Sequence, residues 1–293
     1  MAKKAGHQLF IPGAMQNRVN MKNRHVIEAM GKTKVVIEDG KVIYVGEPSV
    51  TYCPLFMKHR GIKEITSDEV RENVEFRMRD FGMCGPNRDM RMPDFLTYGV
   101  SELLAMAVSK EILDAAVLVA DGAGTVVVSD PELIQGIGGR ISGMIETTPI
   151  AEVIQAVGRE NVLDPDKGSI DQFNGTQLAF RLGHRKVGVT VAKAEDARMV
   201  RDGFGSSVMI FAVHTTGADQ KDARLFFETC DIVSACASRW VREEARSLAL
   251  LQVGNKIPIY ATSEDGKKLL EMRIAQLGGR KESGPEDPPR PLL

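Results

Sequence analysis

The sequence predicts an α/β fold: a largely parallel sheet flanked by helices, behind a small N-terminal α+β unit made of a β-hairpin and helices. Three observations predict it. From Ala115 onward, short apolar runs alternate with segments of helical period, the pattern of strands covered on both faces. Before that, two β-rich runs flank Asp39-Gly40, a pair that supplies the positive φ angles of a two-residue hairpin turn. Proline also stands at helix starts behind capping side chains, Pro131 after Ser129-Asp130 and Pro149 after Thr148.

The elements follow in chain order. Residues 1–24 carry Lys3, Lys4, Arg18, Lys22 and Arg24 without a period and read as a flexible basic arm, unless Met21 is the true start. Residues 25–110 form the α+β front unit. In it Thr66 or Ser67 caps a helix with Asp68 and Glu69 in its first turn and Val70, Val74, Met78 and Phe81 on one face, ended by Gly82. Pro93 and Asp94 are expected to open a second helix through Leu103, Leu104 and Ala107. Residues 111–277 form the α/β domain, with strands expected over 115–120, 125–128, 186–192, 208–213, 232–235, 250–253 and 257–261. Helices are expected over 131–135, 149–157, 170–182, 195–201, 219–229, 239–248 and 265–277. Residues 278–293 hold Pro285, Pro288, Pro289 and Pro291 among charges and read as a disordered tail.

Composition narrows the function. With 38 Lys+Arg against 39 Asp+Glu, the net charge of −1 argues against nucleic acid or an anionic membrane surface as partner. The apolar run 115–120 is bounded by Asp114 and Asp121, so no segment suits a membrane span, and a cytoplasmic location is expected. Four cysteines are too few for a disulfide framework in 293 residues.

Ligands of open α/β sheets bind outside the carboxyl ends of the strands. That rule selects Asp121, Lys193, the run His214-Thr215-Thr216-Gly217, the run Ser234 to Ser238 and the turn Gly254-Asn255-Lys256. His214, with hydroxyls beside it, is the histidine best placed for acid–base work, and Cys236 is the thiol on the same rim. Cys230 falls before the same strand and belongs at its other end. His25 lies beside the loose arm.

Cys53 and Cys84 sit in loops with proline or glycine, where free N–H groups and Arg88 favour thiolates. If both loops fold over the rim, Cys53, Cys84 and Cys236 make three thiolates, with His214 a fourth ligand, a set suited to zinc or an iron–sulfur cluster. The competing reading is that these cysteines are small buried hydrophobes.

Gly136, Gly138, Gly139 and Arg140 form a second candidate, since successive N–H groups can cradle an anion. Ile141 stands where the dinucleotide fingerprint needs glycine, so a flexible turn or lid competes with that reading. Asp121-Gly122-Ala123-Gly124 reads as a hairpin loop first and a ligand loop second. Lys193 and Lys256 could neutralise an anionic ligand beside Arg140. Between Lys58 and Arg91 eight basic residues face seven acidic ones, a balanced solvated face.

Several strings resemble methanogenesis marker protein 8: His25-Val26-Ile27-Glu28-Ala29-Met30-Gly31, Tyr52-Cys53-Pro54-Leu55, Asp80-Phe81-Gly82-Met83-Cys84, Gln135-Gly136-Ile137-Gly138-Gly139-Arg140, Phe211-Ala212-Val213-His214-Thr215-Thr216-Gly217 and Asp231-Ile232-Val233-Ser234-Ala235-Cys236. The resemblance spans roughly residues 21–277. It implies an archaeal cytoplasm and a role tied to methanogenesis, and it carries over no site residues.

Three functions follow as expectations. The first is a thiolate metal or iron–sulfur site for redox chemistry or cofactor maturation. The second is an enzyme on a small anionic or phosphorylated substrate, with Arg140, Lys193 and Lys256 neutralising charge and His214 moving protons. The third is a non-catalytic assembly factor docking on a methanogenesis enzyme complex.

Overall fold

The computed structural model describes residues 23–94, 96–140, 143–281 and 287–293. Its strands are β1 (Arg24–Ala29), β2 (Thr33–Glu38), β3 (Lys41–Val45), β4 (Ala115–Ala120), β5 (Gly124–Val128), β6 (Met144–Thr147), β7 (Val187–Val191), β8 (Val208–Ala212), β9 (Ile232–Ser234), β10 (Leu251–Val253) and β11 (Ile259–Ala261). Its helices are α1 (Pro54–Arg60), α2 (Ser67–Phe81), α3 (Val100–Ser109), α4 (Pro131–Gly138), α5 (Ala151–Val157), α6 (Gln172–Arg181), α7 (Ala194–Phe204), α8 (Gln220–Thr229), α9 (Arg239–Leu248) and α10 (Glu264–Gln276). Apart from Asn23 and Arg24, the expected basic arm lies outside the described residues.

Two sheets organise the chain. The larger runs β10-β11-β9-β8-β7-β4-β5 and the smaller β3-β2-β1-β6. Only the middle of the large sheet is parallel, through the pairs β4–β7, β7–β8 and β8–β9. The pairs β4–β5, β9–β11 and β10–β11 are antiparallel, so the sheet is mixed and the expectation of a largely parallel one is corrected. The reason is connection length. Asp121–Ala123 and the turn after Val253 are too short for a crossover helix, so each must send its strand back alongside.

Strand alternation supplies the two faces. Ala116, Leu118 and Ala120 of β4 enter one core with Leu103, Leu104, Ile134 and Leu270, while Ala115 and Val117 enter another with Ala197, Ala223, Phe226 and Val241. Helices therefore cover both sides. Full burial of an aliphatic side chain is worth about 1.5–3 kcal/mol, so these two layers dominate the folding drive.

The small sheet is antiparallel throughout. Asp39 (φ 47°) and Gly40 (φ 73°) close the expected hairpin with the positive angles of its turn. On α2 the Thr66 hydroxyl caps the Glu69 amide and Gly82 ends the helix at φ 64°, as the residue pattern predicts. Nothing local marks β6, a short and largely exposed run that pairs with β1 from more than a hundred residues away.

Three boundaries move. The helix expected from Pro93 begins at Val100, because Asp94 is taken by Arg273 at 2.6 Å and Glu102 accepts the Leu96 amide. Cys53-Pro54 opens the short helix α1 instead of lying within a loop. The tail is also placed: Tyr52 and Arg290 exchange backbone hydrogen bonds, and Leu293 bonds with Ala237 and Arg239. Residues 287–293 thus run from α1's threshold to the start of α9, which replaces the composition-based expectation of disorder over that stretch.

Candidate functional site

The front unit is seated on the carboxyl ends of the large sheet's strands. His214 follows β8, and its Nε2 lies 2.6 Å from Oε2 of Glu28 on β1. Lys32, just beyond β1, donates from Nζ to the Thr216 carbonyl. Asp121 at the end of β4 receives the Cys84 amide at 2.7 Å and the Arg88 guanidinium at 3.0 Å. Gly122 donates to the Thr147 hydroxyl at 2.7 Å, which also meets His25 Nδ1 at 2.7 Å. The rim where a ligand would bind in such a sheet is here a seam, walled on one side by the small sheet and its loops and on the other by the large sheet.

Glu28 and His214 form the polar centre of this seam. Their side chains are 28% and 19% exposed, so both are ordered yet reachable. His214 has φ 56°, a left-handed conformation uncommon outside glycine, which turns the ring away from the strand direction. Gly143 lies against that ring: a Cβ there would sit 2.7 Å from His214 Cε1 and 2.5 Å from the Glu28 carbonyl oxygen. Only glycine allows that approach. The hydrogen bond with His214 holds the Glu28 carboxyl below its ordinary range, against the opposing effect of burial, and Lys32 adds to it.

Cys236 occupies the next tip. Arg242 fixes its loop by donating from Nη2 to the Cys236 carbonyl at 2.8 Å and the Lys256 carbonyl at 2.9 Å. Burial pushes the Cys236 thiol up to about 11, and nearby Cys53 adds to the rise. Thr216, Arg242 and the Ala237 amide act the other way and do not prevail. Cys53, at the threshold of α1, is also raised by burial despite the amides of Leu55 and Phe56. Cys230 lies before β9, across the strand from Cys236, and burial lifts it to about 12.

The expected three-thiolate centre is not assembled. Cys84 is sealed beside Asp121, and burial together with that carboxylate pushes its thiol well above the ordinary value; Arg88 opposes this but is spent on Asp121. Among the described residues no three His, Cys, Asp or Glu side chains are placed to hold a metal ion. Loop amides near sulfur were the signal for thiolates, and desolvation outweighs them. His214, offered as fourth ligand, is engaged by Glu28 instead.

The glycine-rich run is also corrected. Gly136 and Gly138 belong to α4 and Gly139 caps it, so they offer no anion cradle. Gly136 is small because the chain passes over it: an added Cβ would lie 1.9 Å from the Met90 carbonyl oxygen. Arg140 stacks over Phe81 at 4.4 Å and pairs with Asp89. Asp121–Ala123 is the hairpin loop between β4 and β5, its carboxylate turned to the seam. Lys193 is exposed at the start of α7, and Lys256 lies near Asp287 on the tail side.

Glu28 and Lys32 went unnoticed in the sequence, and His25, expected beside the loose arm, lies inside the fold. His25 is fully buried, with Nε2 lacking a partner, and desolvation lowers its pKa to about 4. A carboxylate, a lysine and a histidine around one short strand were the available signal, but nothing local places that strand on the rim.

Comparison with known proteins agrees on the family. The chain is 44% identical over 262 residues to a protein titled "Uncharacterized protein MJ0054" from Methanocaldococcus jannaschii, covering 87% of this chain and 92% of that one. No solved structure matches it. No helix among the described residues is long and apolar enough to cross a membrane. The family model described as "Uncharacterized protein conserved in archaea (DUF2099)" matches residues 25–275, and the chain belongs to that family.

Proposed function

We propose that this protein is an enzyme that acts on a small substrate in the seam, with Glu28 and His214 as its acid–base pair. The observation that carries this reading is the 2.6 Å contact between His214 Nε2 and Glu28 Oε2, from separate units, on the ligand rim of the sheet. A carboxylate on one ring nitrogen fixes the tautomer and leaves the other nitrogen to give or take a proton. Cys236 is a neutral thiol at neutral pH, so the chemistry assigned here uses no thiolate. Its role is to line the seam beside Thr216.

The methanogenesis association suggested by the marker protein 8 resemblance belongs to the same proposal, supported by the relative from a methanogen. The test is anaerobic incubation of the purified protein with small-molecule extract from a methanogen, followed by mass spectrometry over time. Compounds consumed by the wild type and spared by His214→Asn and Glu28→Gln are the expected result. Identical profiles for all three proteins would overturn the assignment.

A further inference from the structure

We infer that an arginine cluster beside the seam binds the oxyanion group, phosphate or carboxylate, of the small molecule handled at Glu28 and His214, with Arg77 as its principal donor. Its second half rests on the acid–base reading above; anion binding at Arg77 stands without it.

The charges between Lys58 and Arg91 balance in number and not in space. Arg71, Arg79, Arg88 and Arg91 meet carboxylates of Glu75, Asp80, Asp121 and Asp130. Arg77, part-buried on α2, meets none among the described residues; its Nη1 donates to the Arg140 carbonyl at 2.9 Å. Arg60, also without a carboxylate there, lies 4.0 Å over the Phe76 ring. Phe76 meets Phe81 edge-on at 5.5 Å, and Arg140 covers Phe81. The rings therefore hold guanidinium planes in place while the charge of Arg60 and Arg77 is left uncompensated.

Enclosing a cation among cations is costly unless an anion joins them. Burial, with Arg60 and Arg88 adding like charge, pulls the Arg77 pKa down to about 10. A guanidinium with free N–H groups matches two oxygens of a phosphate or carboxylate at once. Arg77 is part-exposed, which leaves an approach to it; the open groove of about 710 Å³ nearby is lined by Glu75, Met78, Arg79, Phe81 and Asp89 and not by Arg77 itself.

A short stretch of chain links the cluster to the acid–base pair. Arg140, whose carbonyl Arg77 holds, is three residues from Gly143, which touches His214, so their Cα atoms lie no more than about 11 Å apart. The proposed ligand reaches across that interval, its anionic end at Arg77 and its reacting end at His214.

Calorimetric titration of the full chain with inorganic phosphate, pyrophosphate and succinate, at low ionic strength, tests this. Saturable binding is expected, weakened at least tenfold by Arg77→Gln and several-fold by Arg60→Gln, which removes a charge and a ring contact but breaks no ion pair among the described residues. Preference for pyrophosphate over succinate assigns a phosphate group, and the reverse a carboxylate. His214→Asn should bind the anion as the wild type does. No saturable binding of any of the three, or undiminished affinity in both arginine variants, overturns the site. Should Arg77→Gln fail to fold, Arg77→Lys and Arg60→Gln carry the comparison. Anion binding intact without His214-dependent turnover would retain this site and discard the acid–base pair.

Discussion

Glu28 Oε2 and His214 Nε2 stand 2.6 Å apart although 186 residues separate them in the chain. One comes from the small sheet and the other from the tip of a central strand of the large one, so the pair exists only when the two sheets are packed together. It is both the candidate catalytic pair and a link across the seam.

The Glu28 carboxyl is depressed in the folded protein, so its contribution to stability is present above the ordinary carboxylate range and is lost as pH falls through the folded value. Glu28→Gln should therefore lower the melting temperature at pH 7 and narrow its gap to the wild type below about pH 4. Thermal unfolding from pH 3 to 7 measures this. A gap that stays constant with pH would show that Glu28 is not held as a carboxylate by His214.

His25 gives a different window. Its folded pKa of about 4 lies below the ordinary 6.5, so the unfolded chain binds the extra proton first, and stability falls with acidification between those values. The effect is on the order of 3 kcal/mol across that window. In His25→Gln the slope of unfolding free energy against pH should flatten there. Urea titrations at half-unit intervals decide it, and an unchanged slope counts against a neutral buried imidazole.

Arg88 and Asp121 are a buried pair, 1% and 2% exposed, with the carboxylate also holding the Cys84 amide and Arg88 Nη2 on the Gly136 carbonyl. Removing one partner strands a charge. Asp121→Ala should cost about 3–5 kcal/mol of stability, and adding Arg88→Met should recover part of the loss. Chemical denaturation of the singles and the double gives the coupling; strictly additive losses would contradict a paired role.

Cys236 should alkylate slowly. With its thiol raised to about 11, the thiolate fraction at pH 8 is about two orders of magnitude below that of a free cysteine. Iodoacetamide labelling followed by peptide mass spectrometry should show Cys236, the one part-exposed cysteine among the four, modified before Cys53, Cys84 and Cys230, and all four slower than in urea. Rapid labelling of native Cys236 at pH 7 would revive a nucleophilic role for it.

Local chemistry was sufficient for much of this protein. Asp39-Gly40 fixed the hairpin, Thr66 and Gly82 bounded α2, and alternating apolar runs marked the strands with the helices that cover them. The same tip rule put Asp121, His214 and Cys236 on one rim, because a strand's direction follows from its connections. Each of these depends on residues within a few positions of one another. Tertiary structure alone decided the rest. Loops too short to cross over made the sheet mixed, and β6 joined β1 from far along the chain. Packing of the small sheet and its neighbouring loops gave His214 the carboxylate of Glu28, gave Asp121 the guanidinium of Arg88, and left Arg77 without a counter-charge among the described residues. Burial, which is a sum over the whole fold, decided protonation too: it raises the Cys53 and Cys236 thiols against neighbouring amides that favour the thiolate.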